Sequence, residues 1–303
     1  MSSPFSAFGP GKIILLGEHG VVYGHPALAG AISRGVHATA TADEEGPSID
    51  FPEGLSDAQT EVLERAFEVA VRKTKYPRVS VELNSDLPLS MGLGSSGALS
   101  VAIARVLLSA QTGKMPKPLV VEKLAFEMEK AFHGTPSGCD HTTSARGTLV
   151  LYQKGKAVEV KSPKPLNVLV ALVGPRSATK STVGALRERQ KRWPARYRRV
   201  FDHIGHLVRD GVAAVKKGDL EALGDVMNMN QGMLASLGLT STPIDEMVYR
   251  LREAGALGAK LTGAGGDGGA VIGLFPEPEP AVVKLRKAGI DCFASQLAGP
   301  RAL

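Results

Sequence analysis

The segment PLSMGLGSSGAL, residues 88–99, decides how the rest of the chain is interpreted. Its glycines at positions 92, 94 and 97 form the pattern G-x-G-x-x-G, which is typical of a dinucleotide-binding turn. Such a turn also requires an acidic residue about 20 positions later, at the end of the next strand. The candidate, Glu122, falls within a predicted helix instead, and no G-K-[S/T] follows that would make a Walker loop. We therefore predict a glycine-rich loop leading into a helix, where free backbone N–H groups and the positive helix end bind phosphate.

The composition indicates a globular protein of two domains. With 303 residues, of which 43% are hydrophobic and 22% charged, the chain is long enough to bury a sizeable core. It shows no cationic start followed by an apolar region and no run of about 18 apolar residues, so we expect a cytoplasmic protein. Cys139 and Cys292 stand in no C-x-x-C or Cys/His metal spacing, which fits a reducing compartment. The net charge of +6 favours anionic partners.

Basic residues are densest in RERQKRWPARYRR, residues 187–199, where seven of thirteen are Arg or Lys. A patch that follows a nucleic-acid backbone is one interpretation. A solvated helix face is the interpretation we favour, because Trp193 and Tyr197 have helical spacing suited to packing. Pro194 between them predicts a kink or a helix start. Nucleic acid is therefore not an expected partner.

The pattern of the chain changes near KSPKPLN, residues 161–167, which predicts a boundary between domains spanning 1–164 and 165–303. Apolar periodicity predicts an α+β protein with its elements in two layers. The predicted strands cover 12–18, 78–85, 148–154 and 166–174, the predicted helices cover 95–111 and 117–132, and 259–275 is predicted to be strand, glycine turn and strand. Between residues 174 and 259 the pattern is mostly helical.

Three further stretches give the chain a family resemblance. They are FGPGKIILLGEHGVVYGHPALA at 8–29, HGTPSGCD at 133–140 and KLTGAGGDGG at 260–269. Together with the glycine loop they resemble the motifs of the kinases named for galactose, homoserine, mevalonate and phosphomevalonate, the GHMP kinases. The resemblance spans nearly the whole chain. It implies a ribosomal-protein-like N-terminal domain with a left-handed βαβ crossover, and a ferredoxin-like C-terminal domain, with the active site between them.

The same resemblance implies an activity: ATP- and Mg²⁺-dependent phosphorylation of the 5-hydroxyl of mevalonate, for isoprenoid synthesis. The expected partners are therefore ATP and mevalonate, with no membrane, and a homodimer is left open. Alternatives are another small hydroxyl acceptor, such as a sugar or phosphomevalonate, and a ligand sensor of the same fold without catalysis.

By resemblance, Asp140 accepts the proton of the substrate hydroxyl, and Lys12 lies between Asp140, the attacking oxygen and the transferred phosphoryl group. From the residues alone, Asp140 is equally suited to cap a helix and Lys12 is a surface lysine at a strand start. The predicted ATP-binding residues form the glycine loop: Ser90, Met91, Gly92, Leu93, Gly94, Ser95, Ser96, Gly97 and Ala98.

Glu129 lies at the edge of the apolar arc of its predicted helix, which on residue pattern alone favours a solvated carboxylate. The resemblance instead makes Glu129 and Ser96 the protein ligands of Mg²⁺, an ion that prefers oxygen donors. The predicted acceptor-binding residues are Lys12, Glu18, His19, Asp140, Thr182, Gly263 and Ala264. Asp267 departs from the family pattern, which usually has glycine there, and we expect its carboxylate to face solvent.

Overall fold

The computed structural model describes residues 4–51, 55–88, 91–174 and 179–297, with the backbone alone for 179–181. Its strands are β1 (Phe5–Leu16), β2 (Ala27–Ala42), β3 (Ser48–Asp50), β4 (Val79–Ser85), β5 (Leu149–Gln153), β6 (Lys156–Glu159), β7 (Leu166–Val173), β8 (Gly258–Thr262), β9 (Gly269–Phe275) and β10 (Cys292–Leu297). Its helices are α1 (Asp57–Thr74), α2 (Ser95–Thr112), α3 (Pro118–His133), α4 (Cys139–Arg146), α5 (Thr179–Arg192), α6 (Pro194–Lys217), α7 (Leu220–Ser236), α8 (Thr242–Glu253) and α9 (Glu279–Lys287).

The first sheet is six-stranded, with the order β3-β4-β2-β5-β6 and β1 paired to β2. β3 and β4 run parallel and are connected through α1, whereas the pairs that β2 makes are antiparallel. Helix α2 is buried at every position from Gly97 to Leu107, as expected for a helix covered on all sides. It lies directly on β1, because a Cβ on Gly9 would overlap the carbonyl oxygen of Ala98. The start of α2 is thereby fixed beside the middle of β1.

The second sheet is antiparallel, with the order β10-β7-β9-β8. Numbered within this sheet, the order is 4-1-3-2, which is the ferredoxin-like arrangement that the resemblance implied. Strand β10 returns to the first sheet, where Ser33 donates its backbone N–H to Ser295 Oγ at 3.0 Å. A large apolar cluster joins the two sheets and includes Leu28 of β2 and Leu297 of β10. A second cluster contains Leu169 and Ala171 of β7 together with residues of the C-terminal helices.

Most predicted elements are confirmed, namely the strands at 78–85, 148–154 and 166–174, both helices and the strand–turn–strand at 259–275. The strand predicted at 12–18 is observed as the longer β1, which begins at Phe5 and ends at Leu16. The predictions did not include β2, β3, β6, β10, α1, α4 or α9. β2 consists largely of small residues without regular alternation, so it has no clear strand pattern. α1 does have a helical pattern, because its buried residues Leu63, Ala66, Phe67, Ala70 and Val71 are spaced three and four positions apart, and the predictions left it out. No helix in the described ranges is long and apolar enough to cross a membrane.

The basic run divides between two helices, α5 ending at Arg192 and α6 starting at Pro194, which confirms the helix start predicted there. Tyr197 packs into the core. The ring of Trp193 instead lies under the guanidinium groups of Arg192 and Arg196, whose centres are 4.5 and 5.5 Å from its centroid.

Candidate active site

A lysine and an aspartate meet where β1 approaches α4. Lys12 Nζ lies 3.2 Å from Asp140 Oδ1, with 4% of the lysine side chain and 33% of the aspartate side chain exposed. The lysine follows a register irregularity in β1, and its backbone N–H donates to Leu93 O at 2.8 Å. Nζ also lies 3.4 Å from Gly92 O, so the glycine loop and the aspartate hold one ammonium group between them.

The alternative that Asp140 caps a helix is wrong. The N-cap of α4 is Gly138, whose φ of 90° places it in the left-handed region, and Asp140 lies in the first turn. There its carboxylate lies at the positive end of the helix dipole and beside the Lys12 ammonium. Asp140 is thus a carboxylate held beside a cation and open to solvent on its other side.

Glycine is required in the loop because the backbone passes close to these two residues. Gly94 has a φ of 77° and is the N-cap of α2, and a Cβ on it would lie 2.8 Å from Lys12 Cγ. A Cβ on Gly97 would lie 3.1 Å from the backbone of Asp140. Side chains at these positions would press on Lys12 or on the start of α4, so the sequence can bring the loop this close only with glycine.

The nine residues predicted to bind ATP differ in their exposure. Those that line the cavity beside Asp140 are Gly92, Gly94, Ser95 and Ser96. Met91 is half-buried, and Leu93, Gly97 and Ala98 are buried. Ser90 lies outside the described residues. The start of α2 therefore presents backbone N–H groups and two hydroxyls to the cavity.

Glu129 of α3 is buried, with 1% of the residue exposed, so the expectation of a solvated carboxylate is wrong. The edge of its apolar arc faces α2 rather than solvent. Ser96 Oγ donates to Oε2 at 3.4 Å and Ser100 Oγ to Oε1 at 3.3 Å. Burial, followed by the nearby charge of Asp140, raises the pKa of Glu129 to about 8. His133 Nε2 lies 3.1 Å from Ser96 Oγ and 3.8 Å from Glu129 Oε2.

This donor set suits a magnesium ion. The described residues contain no group of three or more His, Cys, Asp or Glu side chains that could hold a metal by themselves. Ser96 and Glu129 offer one hydroxyl and one carboxylate, both hard oxygen donors, next to a phosphate-binding loop. Mg²⁺ commonly takes one or two protein ligands and completes its shell with phosphate oxygens and water, and a buried carboxylate is stabilised in its ionised form by a cation.

The second glycine loop closes the other side of the cavity. Gly263 has a φ of 84°, and a Cβ on it would lie 3.1 Å from Gly92 O, so the two glycine loops touch. The imidazole of His19 contacts the same loop, with Nε2 2.9 Å from Ala264 O. Gly263, Ala264 and His19 all line the cavity. Three of the predicted acceptor-binding residues thus lie together opposite the start of α2.

Glu18 does not line this cavity, which corrects the prediction that it lies on the pocket wall. Its carboxylate pairs with the Lys260 ammonium of β8, and both side chains are 0% exposed. Asn230 of α7 donates from Nδ2 to Glu18 Oε2 at 3.3 Å. Burial raises the pKa of Glu18 and lowers that of Lys260, and the attraction between the two opposes both shifts.

Thr182 is also absent from the lining of the cavity. It lies half-buried in the first turn of α5, next to Val183, which does line the cavity.

The cavity itself has a volume of about 700 Å³ and lies between the two halves of the molecule. The polar residues of its lining include those described above. The apolar residues of the lining include Leu55, Ala58, Val62, Leu63, Leu99 and Phe132. Sequence reasoning missed the contribution of α1 to the lining because α1 itself was not predicted. The site therefore combines apolar side chains with one carboxylate and one ammonium beside the glycine loop at the start of α2.

Comparisons with known proteins agree with this geometry. The family of the GHMP kinases N terminal domain matches residues 61–148, and that of the GHMP kinases C terminal matches residues 212–291. A mevalonate kinase of Aeropyrum pernix is 37% identical over 90% of this chain and 89% of its own length. A mevalonate kinase of Thermococcus sibiricus is 34% identical over 91% and 90%. The crystal structure of L. major mevalonate kinase in complex with R-mevalonate superposes with a TM-score of 0.86, at 27% identity, covering 99% of this chain and all of that one.

Proposed function

The chain belongs to the GHMP kinase family, and we propose that it transfers the γ-phosphoryl group of ATP to the 5-hydroxyl of mevalonate. The product is 5-phosphomevalonate, on the mevalonate route to isoprenoids. The observation that carries this proposal is the Lys12–Asp140 pair, with Nζ and Oδ1 3.2 Å apart, where the two glycine loops meet. Relatives that share a third or more of its residues are named mevalonate kinase.

Asp140 serves as the base in this mechanism. Its carboxylate lies beside the Lys12 ammonium at the start of α4, and a third of its side chain is exposed where it lines the cavity. It accepts the proton of the 5-hydroxyl as that oxygen bonds to the γ-phosphorus and the bond between the γ-phosphorus and the β–γ bridging oxygen breaks. ADP leaves with the bridging oxygen, and the proton ends on Asp140 Oδ. Lys12 stabilises the negative charge that builds on the equatorial oxygens of the transferred group.

ATP is held by the start of α2. The N–H groups of a first helical turn have no partner within the helix; here they point into the cavity, and the helix dipole favours the negative charge of the phosphates there. Phosphoryl transfer depends chiefly on such positioning and charge stabilisation. Gly92 and Gly94 support this role because they let the backbone itself, rather than side chains, approach the phosphates.

Ser96 and Glu129 would hold Mg²⁺. The ion would supply a positive charge that neutralises the β- and γ-phosphate oxygens. Burial raises the pKa of Glu129 to about 8, and a bound cation would favour its ionised form. The hydroxyls of Ser96 and Ser100 orient its two oxygens. His19, Gly263 and Ala264, which face the start of α2 across the cavity, bind the acceptor. Glu18 does not line the cavity and supports His19, the next residue in the chain. A cytoplasmic location, a homodimer and the domain boundary at residue 164 stay predictions.

The experiment that tests the function is an acceptor panel in a coupled ADP-release assay. Mevalonate, phosphomevalonate, galactose and homoserine are each offered with ATP and Mg²⁺, and the Asp140→Asn protein is the control for background hydrolysis. We expect turnover with mevalonate alone. Faster turnover of another acceptor would assign to this chain the activity of a different member of its family. No ADP release with any acceptor would favour the sensor alternative.

A further inference from the structure

We infer that Asn230 of α7 positions the acceptor wall of the active site through Glu18 and Lys260. The wall consists of His19, Gly263 and Ala264, and its assignment to the acceptor rests on the proposed function. Asn230 itself does not line the cavity, so it is a positioning residue and not a catalytic one.

The first link runs from Asn230 to His19. Asn230 Nδ2 donates to Glu18 Oε2 at 3.3 Å, and the other oxygen of Glu18 accepts from Lys260 Nζ. All three side chains are fully buried. Glu18 directly precedes His19, whose φ of 59° is unusual for a residue with a side chain. Fixing both oxygens of Glu18 therefore fixes the backbone that holds the His19 ring against the cavity.

The second link runs from Lys260 to the glycine loop. Its Nζ donates to the backbone oxygen of Leu261 at 2.6 Å, within the last residues of β8. The following residue, Thr262, is bound to β1 through Oγ1, which accepts from Ile14 N at 2.9 Å and donates to Ile14 O at 3.1 Å. Gly263 comes next and opens the loop of the acceptor wall. The two links meet again where His19 Nε2 lies 2.9 Å from Ala264 O.

The cluster of Asn230, Glu18 and Lys260 is not the arrangement that would stabilise the fold most. Removing two charges from water costs free energy that a buried pair only partly recovers, and apolar residues of similar size often stabilise more. Asn230 Oδ1 is buried and accepts no hydrogen bond from any residue that the structure describes. An unsatisfied buried oxygen is destabilising and calls for an explanation, of which a role at the active site is one. The geometry supplies that role, since Asn230 contacts the residue next to His19.

The chain offers a matched control on the same helix. Asn228 also binds β8: its Oδ1 accepts from Ala259 N at 3.1 Å and its Nδ2 donates to Leu257 O at 3.3 Å. Both of its hydrogen bonds thus go to backbone groups, and neither goes to Glu18 or Lys260. Substitution of Asn228 therefore weakens the contact of α7 with β8, and leaves the contact with Glu18 in place.

The test compares Asn230→Ala, Asn230→Ser and Asn228→Ala in the full-length protein, with steady-state kinetics and calorimetric binding of mevalonate. For both Asn230 variants we expect the KM and Kd for mevalonate to rise about tenfold, as a small displacement of a binding wall can cause. The KM for ATP should stay within about twofold, because the start of α2 is not touched. Asn228→Ala should lose thermal stability without changing either KM.

Equal changes in both KM values, no change in either, or the same change in Asn228→Ala would overturn the inference. If Asn230→Ala does not fold, Asn230→Ser decides the matter, since it retains a small polar group. Failure of Asn230→Ser to fold would assign Asn230 to stability and also overturn the inference. An inactive wild-type protein would instead count against the proposed function, which separates the two failures.

Discussion

Two lysine–carboxylate pairs lie close to the active site, and they differ in their access to water. In the first, Lys12 and Asp140, a third of the aspartate side chain is exposed. In the second, Lys260 and Glu18, both side chains are fully buried. Both pairs join parts of the chain that are distant in sequence, and both involve a lysine from a motif of the same family.

The difference separates chemistry from positioning. An exposed carboxylate can receive a proton from a ligand and can exchange it with water, and its charge is partly compensated by solvent when its partner is lost. A fully buried carboxylate meets no ligand, and loss of its partner leaves a charge that water cannot reach. We therefore expect damage to the Lys12–Asp140 pair to reduce turnover, and damage to the Lys260–Glu18 pair to reduce stability and the affinity for mevalonate.

The largest expected effect comes from Asp140→Asn. This change retains the shape of the side chain but removes the base and the anion beside Lys12. Turnover should fall at least about 100-fold, in the range typical of removing a general base. The KM values for ATP and mevalonate should change far less, because the interaction develops mainly in the transition state. Steady-state kinetics measure both, and a thermal melt checks that the variant is folded.

The partner variant shows whether the first pair acts as a unit. Lys12→Met should reduce turnover by a similar factor, and the double variant should be little worse than the more damaging single change. Losses that multiply would mean that the two residues act independently. A folded Asp140→Asn protein with near-normal turnover would remove Asp140 from the mechanism.

Damage to the second pair should appear first as lost stability. Lys260→Met leaves the Glu18 carboxylate buried without a counter-ion and should lower the free energy of unfolding by about 3–5 kcal/mol. The double variant with Glu18→Gln removes both charges and should recover a large part of that loss. Urea unfolding measures these changes. If Lys12→Met, in the more exposed pair, lowers the free energy of unfolding as much as Lys260→Met does, then burial does not separate the two pairs in their effect on stability.

The sequence could predict the first pair and not the second. Lys12 and Asp140 stand in motifs that resemble the family, so their meeting was expected. Glu18 and Lys260 are separated by 242 positions, and no periodic pattern shows which buried carboxylate a distant lysine reaches. The prediction that Glu129 is exposed to solvent was wrong for a related reason. A helical wheel places Glu129 at the edge of the apolar arc of α3, but it does not show that α2 packs against this edge and excludes water.

A medium-sized effect is expected from the proposed metal ligands. Glu129→Gln removes a charge and should raise the Mg²⁺ concentration for half-maximal rate by about tenfold, whereas Ser96→Ala removes one neutral oxygen worth about 1 kcal/mol and should raise it about fivefold. Ser100→Ala is the matched control, because Ser100 binds the other oxygen of Glu129 from a buried position. Its shift should be the smallest. An unchanged Mg²⁺ requirement in Glu129→Gln and Ser96→Ala would leave these residues as a hydrogen-bonded pair only.

The glycine loop supports Lys12, so a side chain there should weaken the first pair indirectly. Gly94→Val places a β-branched residue at a φ of 77° and against the Lys12 side chain, a strain of about 1–2 kcal/mol. We expect the KM for ATP to rise about fivefold to tenfold, with a smaller loss of turnover. Gly113→Val is the control, since Gly113 ends the same helix at a φ of 68°, where a Cβ would meet no atom of the described residues within 4 Å. The Gly113→Val variant should lose stability but retain its KM for ATP and its turnover. Equal changes of KM and turnover in both variants would show that Gly94 has no local role at the site.

The smallest effect should come from a charge that lies beside the active site but outside its cavity. Asp267 is exposed and does not line the cavity, although its loop does so at Gly263 and Ala264. An exposed carboxylate is screened by water and salt, so its repulsion of bound phosphates is weak. Asp267→Asn should therefore change both KM values by less than about twofold at physiological ionic strength. Gly263→Ala, in the part of the loop that touches Gly92, should have the larger effect because its φ of 84° and the 3.1 Å approach to Gly92 O leave little room for a methyl group. If Asp267→Asn instead lowers the KM for ATP severalfold and this effect disappears in high salt, then the Asp267 carboxylate repels the phosphates of bound ATP. Exposure to solvent would then not be enough to screen a charge beside the active site.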